Sequence, residues 1–345
     1  MTPSSYARSG VDITAGNRAV DLMRASVRST YGPEVLLGIG AFGGLYSGER
    51  LQRMSHPVLV ASTDGVGTKT VVSGALGRYE NLGRDIVNHC VNDILVQGAD
   101  PLFFLDYVAT PRLDPQVVAD VVAGVSAACR EAGCALLGGE TAEMPGVYAE
   151  GQMDIAGTIV GVVEKDAIID GSRVQRGDRL VGLPSAGLHT NGFSLVRSIF
   201  GAGSYRLYAE RLGCTLGEAL AAPHRSYLPH VRAIRSMADV HGLVHLTGGG
   251  FVENIPRILP EGLGARIDRA AWVVPPVFDL IREIGDVDPL EMYRVFNMGI
   301  GMIVIVSAGE VDLVHQALAA VGVPSQQAPV IGEIVPADQG PRVQL

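Results

Sequence analysis

The sequence has few cysteines, no long apolar run and a deficit of positive charge, and each shortage excludes a class of protein. Its four cysteines include no closely spaced pair, so a zinc site is not expected. No run of about 18 uninterrupted apolar residues is present, so no membrane-spanning segment is predicted. The net charge of −9 argues against a role with nucleic acid, because duplex binding depends on cations that neutralise phosphates.

The bulk composition indicates a globular protein with two domains. A length of 345 residues exceeds a comfortable single core and predicts two domains of roughly 150 residues each. Hydrophobic residues at 47% and charged residues at 18% exclude a disordered chain. The opening stretch MTPSSYARSG lacks the apolar segment of a secretory signal, so we expect a cytoplasmic protein with reduced thiols.

The order of predicted elements is that of an α/β or α+β protein. The first half alternates strands over 57–62, 102–110 and 153–165 with helices over 82–97 and 114–133. The second half repeats a strand, a glycine loop and a helix, with a further helix near 226–240. A polar, turn-rich stretch over 165–178 separates the halves, which predicts an N-terminal domain over 1–168 and a C-terminal domain over 169–345.

The stretch STDGVGTK, residues 62–69, follows a strand and has the composition of a phosphate-binding loop. It offers backbone amides, a hydroxyl and an ammonium group from Gly65, Val66, Gly67, Thr68 and Lys69. Asp64 is explained if a divalent cation lies between its carboxylate and the phosphates, because Mg²⁺ is commonly held in this way. The alternative is a tight turn with a solvated acid and lysine.

The helix over 82–97 supplies a second carboxylate. Asn92 and Asp93 lie near its C-terminal end, where the helix dipole favours a cation. Asp85, His89 and Asn92 recur at helical spacing and form one polar stripe. The stripe either contributes to the metal and ATP site or faces solvent, and the sequence favours neither alternative.

Carboxylates outside this helix are weaker candidates. Asp12, isolated in SGVDITAGN, is a third possible metal ligand. Glu140 and Glu143 lie in GGETAEMPG (138–146), where a strand is expected to enter a glycine turn. They could act as metal or base groups, or the turn could be purely structural, and both alternatives stay open.

Two glycine loops in the second half carry candidate substrate groups. In GLHTNG, His189 can exchange or donate a proton near neutral pH, and Asn191 adds an amide. In LTGGGFVEN, a run of glycines precedes a predicted helix and forms a candidate phosphate site. The residues assigned to substrate binding are Asn191, Thr247, Gly248, Gly249 and Gly250.

Other conspicuous residues are assigned no chemistry. His224 and His230 are expected to be surface or structural residues, and Trp272 is expected to be a packing residue. The four cysteines have no identifiable catalytic neighbours.

These motifs together resemble the aminoimidazole ribonucleotide synthetase family, also called phosphoribosylformylglycinamidine cyclo-ligases. The resemblance extends along essentially the whole chain. The matching stretches are GVDITAGN (10–17), STDGVGTK (62–69), VNDILVQGADPLFFLDY (91–107), GGETAEMPG (138–146), DIAGTIVGVVEK (154–165), IIDGSRVQRGD, GLHTNGFSLVR, HLTGGGFVENIPR and MYRVFNMGIGM (292–302).

The resemblance implies an ATP-dependent enzyme of purine biosynthesis. Such an enzyme activates the formamide oxygen of formylglycinamidine ribonucleotide as an iminophosphate, and an amidine nitrogen then closes the imidazole ring with release of phosphate. The family implies a homodimer in which the N-terminal α/β domain completes a barrel with its dimer mate, followed by a C-terminal α/β domain. One departure is Arg24, where relatives often carry lysine, and arginine cannot be assumed to replace it at a phosphate.

Other functions remain as alternatives within and outside the superfamily. Thiamine-monophosphate kinase also uses ATP with carboxylate-held metals. Selenophosphate synthetase is disfavoured because no cysteine lies in a glycine-rich N-terminal loop. The amidotransferase-linked synthetase one step earlier in purine synthesis is disfavoured because the chain is too short to include a glutaminase domain. A non-catalytic nucleotide-binding scaffold would bind ATP without turnover, and His189 with the substrate loops argues against it.

Overall fold

The structure, a computed structural model, describes residues 10–337 and 340–345 and divides the chain into two compact units. The first unit comprises the described residues up to Ile94 together with Ala99–Asp166. The second comprises Leu95–Gly98 and the described residues from Ala167 onward. The expectation that the chain carries no secretory signal rested mostly on residues 1–9, which lie outside the described residues.

The first unit is a four-stranded mixed sheet with helices and a small hairpin. Its elements are α1 (Ile13–Arg28), β1 (Val35–Leu37), β2 (Leu45–Tyr46), α2 (Glu49–Gln52), β3 (Pro57–Gly65), α3 (Lys69–Leu76), α4 (Tyr79–Leu95), β4 (Asp100–Thr110), α5 (Pro115–Ala132), β5 (Ala135–Glu143) and β6 (Asp154–Glu164). The sheet order is β3-β6-β4-β5. β6 is antiparallel to both neighbours, whereas β4 and β5 are parallel, as expected for strands joined through a helix.

Alternation along β3 gives the sheet of the first unit two different faces. Ser62 and Asp64 point to one face, and Leu59 and Thr63 point to the other. Thr63 pairs with Thr158 of β6, which pairs in turn with Leu105 of β4. Leu59 is 60% exposed and Leu105 is 37% exposed, so this second face presents apolar side chains on the surface of the unit.

The first face of the sheet is covered by α4, and glycines allow the close approach. A Cβ at Gly157 of β6 would lie 3.0 Å from Ile86 Cγ1, and one at Gly161 would lie 2.5 Å from Ile94 Cδ1. Both isoleucines belong to α4 and are buried. This packing fixes α4 over β6, beside the strand that carries Asp64.

Helix α5 packs against α4 through a second pair of glycines. A Cβ at Gly83 would lie 2.1 Å from the Val121 carbonyl oxygen, and a Cβ at Gly124 would lie 1.9 Å from the Glu80 carbonyl oxygen. Neither position can hold a side chain without moving the helices apart, because both clashes are with backbone.

The second unit is built on a six-stranded sheet. Its elements are β7 (Arg179–Pro184), α6 (Phe193–Ile199), β8 (Tyr208–Ala209), β9 (Cys214–Thr215), α7 (Leu216–Leu220), α8 (Leu228–Arg235), β10 (Val240–His245), α9 (Gly250–Asn254), β11 (Leu263–Ile267), α10 (Pro276–Gly285), α11 (Pro289–Val295), β12 (Ile300–Val306), α12 (Val311–Ala320), β13 (Val330–Pro336) and β14 (Val343–Gln344). The sheet order is β10-β12-β7-β13-β11-β14. β10 and β12 are buried along their whole length, so the core of the unit lies at this end of the sheet.

Most predicted elements are confirmed, and their differences have physical causes. Asp114 caps α5 by accepting bonds from two amides, and Gly133 ends the helix with φ of 70°, as predicted. The glycine turn expected at 138–139 is wrong, because β5 continues through both glycines to Glu143. Gly139 is needed within the strand, since its Cβ would lie 1.9 Å from Asp106 Oδ1. The helix near 226–240 is shorter than predicted and covers Leu228–Arg235.

The mixed α/β class is confirmed. Among residues 10–337 and 340–345, none of the helices combines the length and the apolar composition that a bilayer crossing requires.

The glycine contact between α4 and α5 gives a first prediction. Gly124→Ala should lower the free energy of unfolding by about 1–3 kcal/mol, because the added methyl group meets backbone. Gly16→Ala is the matched control: Gly16 lies within α1 with open space around its Cβ position, so the change should be neutral or stabilise by up to about 1 kcal/mol. Denaturant unfolding measures both, and equal effects at the two positions would contradict the assigned contact.

Candidate functional site

The phosphate-loop candidate is a strand–turn–helix unit in the first unit. β3 ends at Gly65, whose amide donates to Asp64 Oδ1 at 2.7 Å. Val66 N then donates to the Ile155 carbonyl oxygen at 2.9 Å, and Gly67 turns the chain with φ of 66°. α3 begins two residues later at Lys69. The backbone therefore has the form predicted for a loop that brings amides to an anion.

Asp64 and Asp93 converge on one imidazole. His89 Nε2 of α4 lies 2.8 Å from Asp64 Oδ2 and 3.8 Å from Asp93 Oδ2. Ser62 Oγ donates to Asp93 Oδ2 at 3.1 Å, which ties α4 to β3 directly. The two carboxylates predicted as metal ligands are therefore neighbours, with His89 between them.

The electrostatics of this cluster favour a positive group. Burial disfavours the charged form of His89, but the hydrogen bond that His89 donates to Asp64 and the charges of Asp93 and Asp64 outweigh it and raise its pKa. Both carboxylates remain partly exposed, at 42% and 26% of their side-chain surface. An oxygen-lined, partly open pair that already stabilises a cation fits the ligand chemistry of Mg²⁺.

Lys69 has a different environment from the one expected for a phosphate ligand. Its ammonium group lies 2.8 Å from Asp85 Oδ2 and 2.9 Å from Oδ1, and both side chains are fully buried. Burial lowers the pKa of Lys69, and the charge of Asp85 and its hydrogen bond act in the opposite direction. The pair joins the first residue of α3 to α4, and the predicted role of Lys69 at the phosphates stays a prediction.

The polar stripe of α4 is buried. Asp85, His89 and Asn92 are 0%, 3% and 0% exposed, and Asn88 is 7% exposed. The alternative in which this stripe faces solvent is therefore wrong. The stripe instead meets α3 and β3, where Asp85 pairs with Lys69 and His89 pairs with Asp64.

Asp12 and Glu143 have structural contacts. Asp12 caps α1, with Oδ1 accepting from Thr14 N at 2.9 Å. Its own amide donates to Glu143 Oε2 at 2.5 Å, and Glu143 Oε1 accepts from Leu113 N at 2.8 Å. Glu140 is exposed. Glu143 therefore holds the start of α1 against the β4–α5 connection.

His189 of the second unit is buried in a strained loop. It is 1% exposed and has φ of 62°. Its Nε2 accepts a hydrogen bond from Ala186 N at 3.2 Å. Gly301 of β12 leaves room for the ring, since a Cβ there would lie 2.5 Å from His189 Cε1 and 2.1 Å from Tyr227 Oη.

The triple-glycine loop lies beside Asn191. A Cβ at Gly248 would lie 3.3 Å from Asn191 Oδ1. Asn254 Nδ2 donates to the carbonyl oxygens of Thr247, Gly248 and Gly250 at 3.3, 3.2 and 2.8 Å and so folds the loop. The predicted substrate groups Asn191 and Thr247–Gly250 are thus brought together within the second unit.

A cavity of about 1100 Å³ opens against this loop. Its lining includes Gly192, Gly248, Gly249, Glu253 and Arg294. Arg294 Nε donates to Glu253 Oε1 at 3.0 Å, so the guanidinium group is held at the wall of the cavity.

Two residues near His189 were not predicted as functional from the sequence. Asn297 Oδ1 accepts from Gly299 N at 2.9 Å, and Asn297 Nδ2 donates to the Gly187 carbonyl oxygen at 2.9 Å, which joins the loop before β12 to the loop after β7. His224, expected at the surface or in a structural role, is 1% exposed and stacks on His189 with ring centroids 3.9 Å apart. No local pattern marks His224, because it lies in the irregular stretch between α7 and α8.

Comparison with known sequences covers both units. The protein-family model described as AIR synthase related protein, N-terminal domain, matches residues 51–163. The family model for the C-terminal domain of the same proteins matches residues 175–343. A phosphoribosylformylglycinamidine cyclo-ligase of Desulfitobacterium hafniense is 52% identical over 336 residues, covering 97% of this chain and 98% of the relative. One from Geobacillus thermodenitrificans is 50% identical over 334 residues, covering 96% and 95%.

Comparison with solved structures supports the fold. Thiamine-monophosphate kinase from Stenotrophomonas maltophilia has a TM-score of 0.68 at 18% identity, covering 95% of each chain. Escherichia coli HypE has a TM-score of 0.66 at 18% identity, covering 92% of this chain and 91% of that one. A HypE in complex with ATP has a TM-score of 0.65 at 21% identity, covering 94% and 87%. At these identities the likeness establishes the fold alone.

The buried pair of Lys69 and Asp85 gives a second prediction. Lys69→Met should lower the free energy of unfolding by about 3–5 kcal/mol, because Asp85 then remains buried without its cation. The double variant Lys69→Met/Asp85→Leu should recover most of that loss. Arg53→Met, which removes an exposed pair with Glu49, is the control and should change stability by less than about 1 kcal/mol. A double variant no more stable than Lys69→Met would refute the pairing argument.

Proposed function

Because the chain belongs to the aminoimidazole ribonucleotide synthetase family and is an ATP-dependent phosphoribosylformylglycinamidine cyclo-ligase of purine biosynthesis, we propose how its residues carry out the cyclisation. The observation that carries this assignment is the sequence match to cyclo-ligases, which covers nearly the whole chain at 50–52% identity. The likeness to thiamine-monophosphate kinase, at 18% identity, gives no support for kinase activity.

The proposed reaction has two steps. The γ-phosphoryl group of ATP is transferred to the formamide oxygen of formylglycinamidine ribonucleotide, which gives an iminophosphate and ADP. The amidine nitrogen then attacks the activated carbon, the C–O bond breaks, and phosphate leaves as the imidazole ring closes with loss of a proton. Catalysis of such a transfer is mainly positioning and electrostatic stabilisation.

The first unit is proposed to hold ATP. The amides of Gly65–Thr68 and the side chain of Asn92 would bind the nucleotide, with Asp64 and Asp93 as ligands of Mg²⁺. Bound Mg²⁺ neutralises phosphate charge. Asp12 is kept as a third ligand in the proposal, although its Oδ1 already caps α1.

Two alternative roles are proposed for Lys69 at the ATP site, and the burial of its ammonium group bears on which of them applies. In the first, the ammonium group reaches the developing charge on the phosphates, as the sequence predicts. In the second, its pair with Asp85 holds the start of α3 on α4, and so positions the Gly65–Thr68 backbone. The 2.8 Å contact favours the second role.

The second unit is proposed to bind the ribonucleotide substrate. Asn191 and the loop Thr247–Gly250 would hold its polar groups and phosphate, beside the cavity that Arg294 borders. His189 would exchange the proton lost on ring closure, since an imidazole can do so near neutral pH. Cytoplasmic residence is proposed from the same pathway assignment.

A homodimer is proposed from the open face of the first sheet. Leu59 and Leu105 are exposed there, beside Thr63 and Thr158 on the same face. A second copy packed on this face would remove the apolar surface from water and allow the sheets of both copies to form one barrel.

The assignment of Asp64 is tested by turnover. The purified protein should convert formylglycinamidine ribonucleotide to aminoimidazole ribonucleotide with ATP and Mg²⁺, and Asp64→Asn should lower kcat by about 100-fold or more while the variant still folds. Asp312→Asn, at an exposed position of α12, is the control and should keep full activity. Wild-type turnover in Asp64→Asn would refute the metal role.

The dimer is tested by a charge on the open sheet face. Leu59→Glu should raise the dimer dissociation constant by at least about tenfold, because a carboxylate must then be buried at the interface. Ile284→Glu, at a similarly exposed position of α10, is the matched control and should leave the association unchanged. Sedimentation equilibrium measures both, and equal dissociation constants in the two variants would rule out this interface.

A further inference from the structure

Three buried histidines of the second unit lie together. His189, His224 and His245 are 1%, 1% and 6% exposed. They come from three separate parts of the chain: the loop after β7, the connection before α8, and the last residue of β10. Each offers one ring nitrogen, and these nitrogens all lie within 4.8 Å of one another.

The spacing of these nitrogens is close to that of a metal site. His224 Nε2 and His245 Nε2 are 3.0 Å apart. In a tetrahedral site with metal–nitrogen bonds of about 2.0–2.1 Å, neighbouring nitrogens are about 3.3 Å apart. Adjustments well under 1 Å would therefore bring His224 and His245 to this spacing. The ring of His189, which stacks on His224 with the ring planes 21° apart, must also turn so that its in-plane lone pair points at the same ion.

The hydrogen bonds around the rings leave suitable lone pairs. Thr190 Oγ1 lies 3.4 Å from His224 Nδ1, so this hydroxyl can accept the Nδ1 proton when Nε2 binds a metal. His189 Nε2 carries a lone pair, because it accepts from Ala186 N at 3.2 Å. Metal binding would exchange the contact between His224 Nε2 and His245 Nε2 for coordinate bonds.

We propose that His189, His224 and His245 form a binding site for a divalent transition metal ion such as Zn²⁺, with a fourth position open to water or an anion. Three neutral imidazoles suit Zn²⁺, Co²⁺ or Ni²⁺, whereas the oxygen ligands Asp64 and Asp93 suit Mg²⁺. The low expectation for zinc from the sequence rested on cysteine alone and does not apply to a histidine site. The competing explanation is a hydrogen-bonded chain of neutral histidines that holds no ion.

Cobalt binding to the tag-free, chelator-treated full chain tests the site. In excess Mg²⁺, the protein should take up one equivalent of Co²⁺ and show the visible absorption of tetrahedral cobalt, and Zn²⁺ should displace it. His189→Asn, His224→Asn and His245→Asn should each weaken binding by more than about 100-fold, since loss of an outer-shell partner alone costs about 10–100-fold. His56→Asn, at an exposed position, should bind as the wild type does.

Two further variants keep the test decisive. Thr190→Val removes the hydroxyl beside His224 without removing a ligand, and should weaken Co²⁺ binding by about tenfold. This variant still tests the site if one of the asparagine variants fails to fold. Asp64→Asn should leave Co²⁺ binding unchanged, so failure of the Mg²⁺ assignment is distinguishable from failure of this one. Absent uptake, or weak uptake that His224→Asn does not change, would overturn the proposal.

Occupancy by Zn²⁺ should also lower cyclo-ligase turnover, because a coordinated His189 cannot exchange a proton. That readout rests on the proposed function, whereas the binding measurements do not.

Discussion

The burial of a charged helix face is the constraint on which the first unit depends. Helix α4 places Asp85 and His89 toward the sheet, where an isolated charge would cost far more than a hydrogen bond returns. Each group therefore has a charged partner from a different element: Lys69 from α3 and Asp64 from β3. These pairs connect the strand, the turn and both helices, so the loop Gly65–Thr68 is held from both of its ends.

The close contacts between elements of the first unit depend on glycines in the backbone. α4 reaches β6 only because Gly157 and Gly161 carry no side chains, and α5 reaches α4 only through Gly83 and Gly124. The position of the carboxylate pair is thus set by contacts that contain no catalytic group. A change in any of them would move His89 and Asp93 relative to Asp64 without altering the chemistry of the site.

The sequence predicted local structure well where one element determines the outcome. The cap at Asp114 and the stop at Gly133 follow from neighbouring residues alone. The neighbourhood of Asp64 and Asp93 depends on which strand α4 covers, and helical spacing could show only that α4 had a polar stripe. His224 was beyond reach for a similar reason: its partners His189 and His245 come from distant stretches that only the sheet brings together.

Gly301 shows how narrow the choice at one strand position can be. A Cβ there would lie 2.1 Å from Tyr227 Oη and 2.5 Å from His189 Cε1. Glycine has no smaller neighbour among the amino acids, so evolution cannot approach this position by a conservative step. A side chain at residue 301 becomes acceptable only after Tyr227 and His189 have changed first. The packing around this strand therefore sets the order in which substitutions at residue 301 and at its neighbours become acceptable.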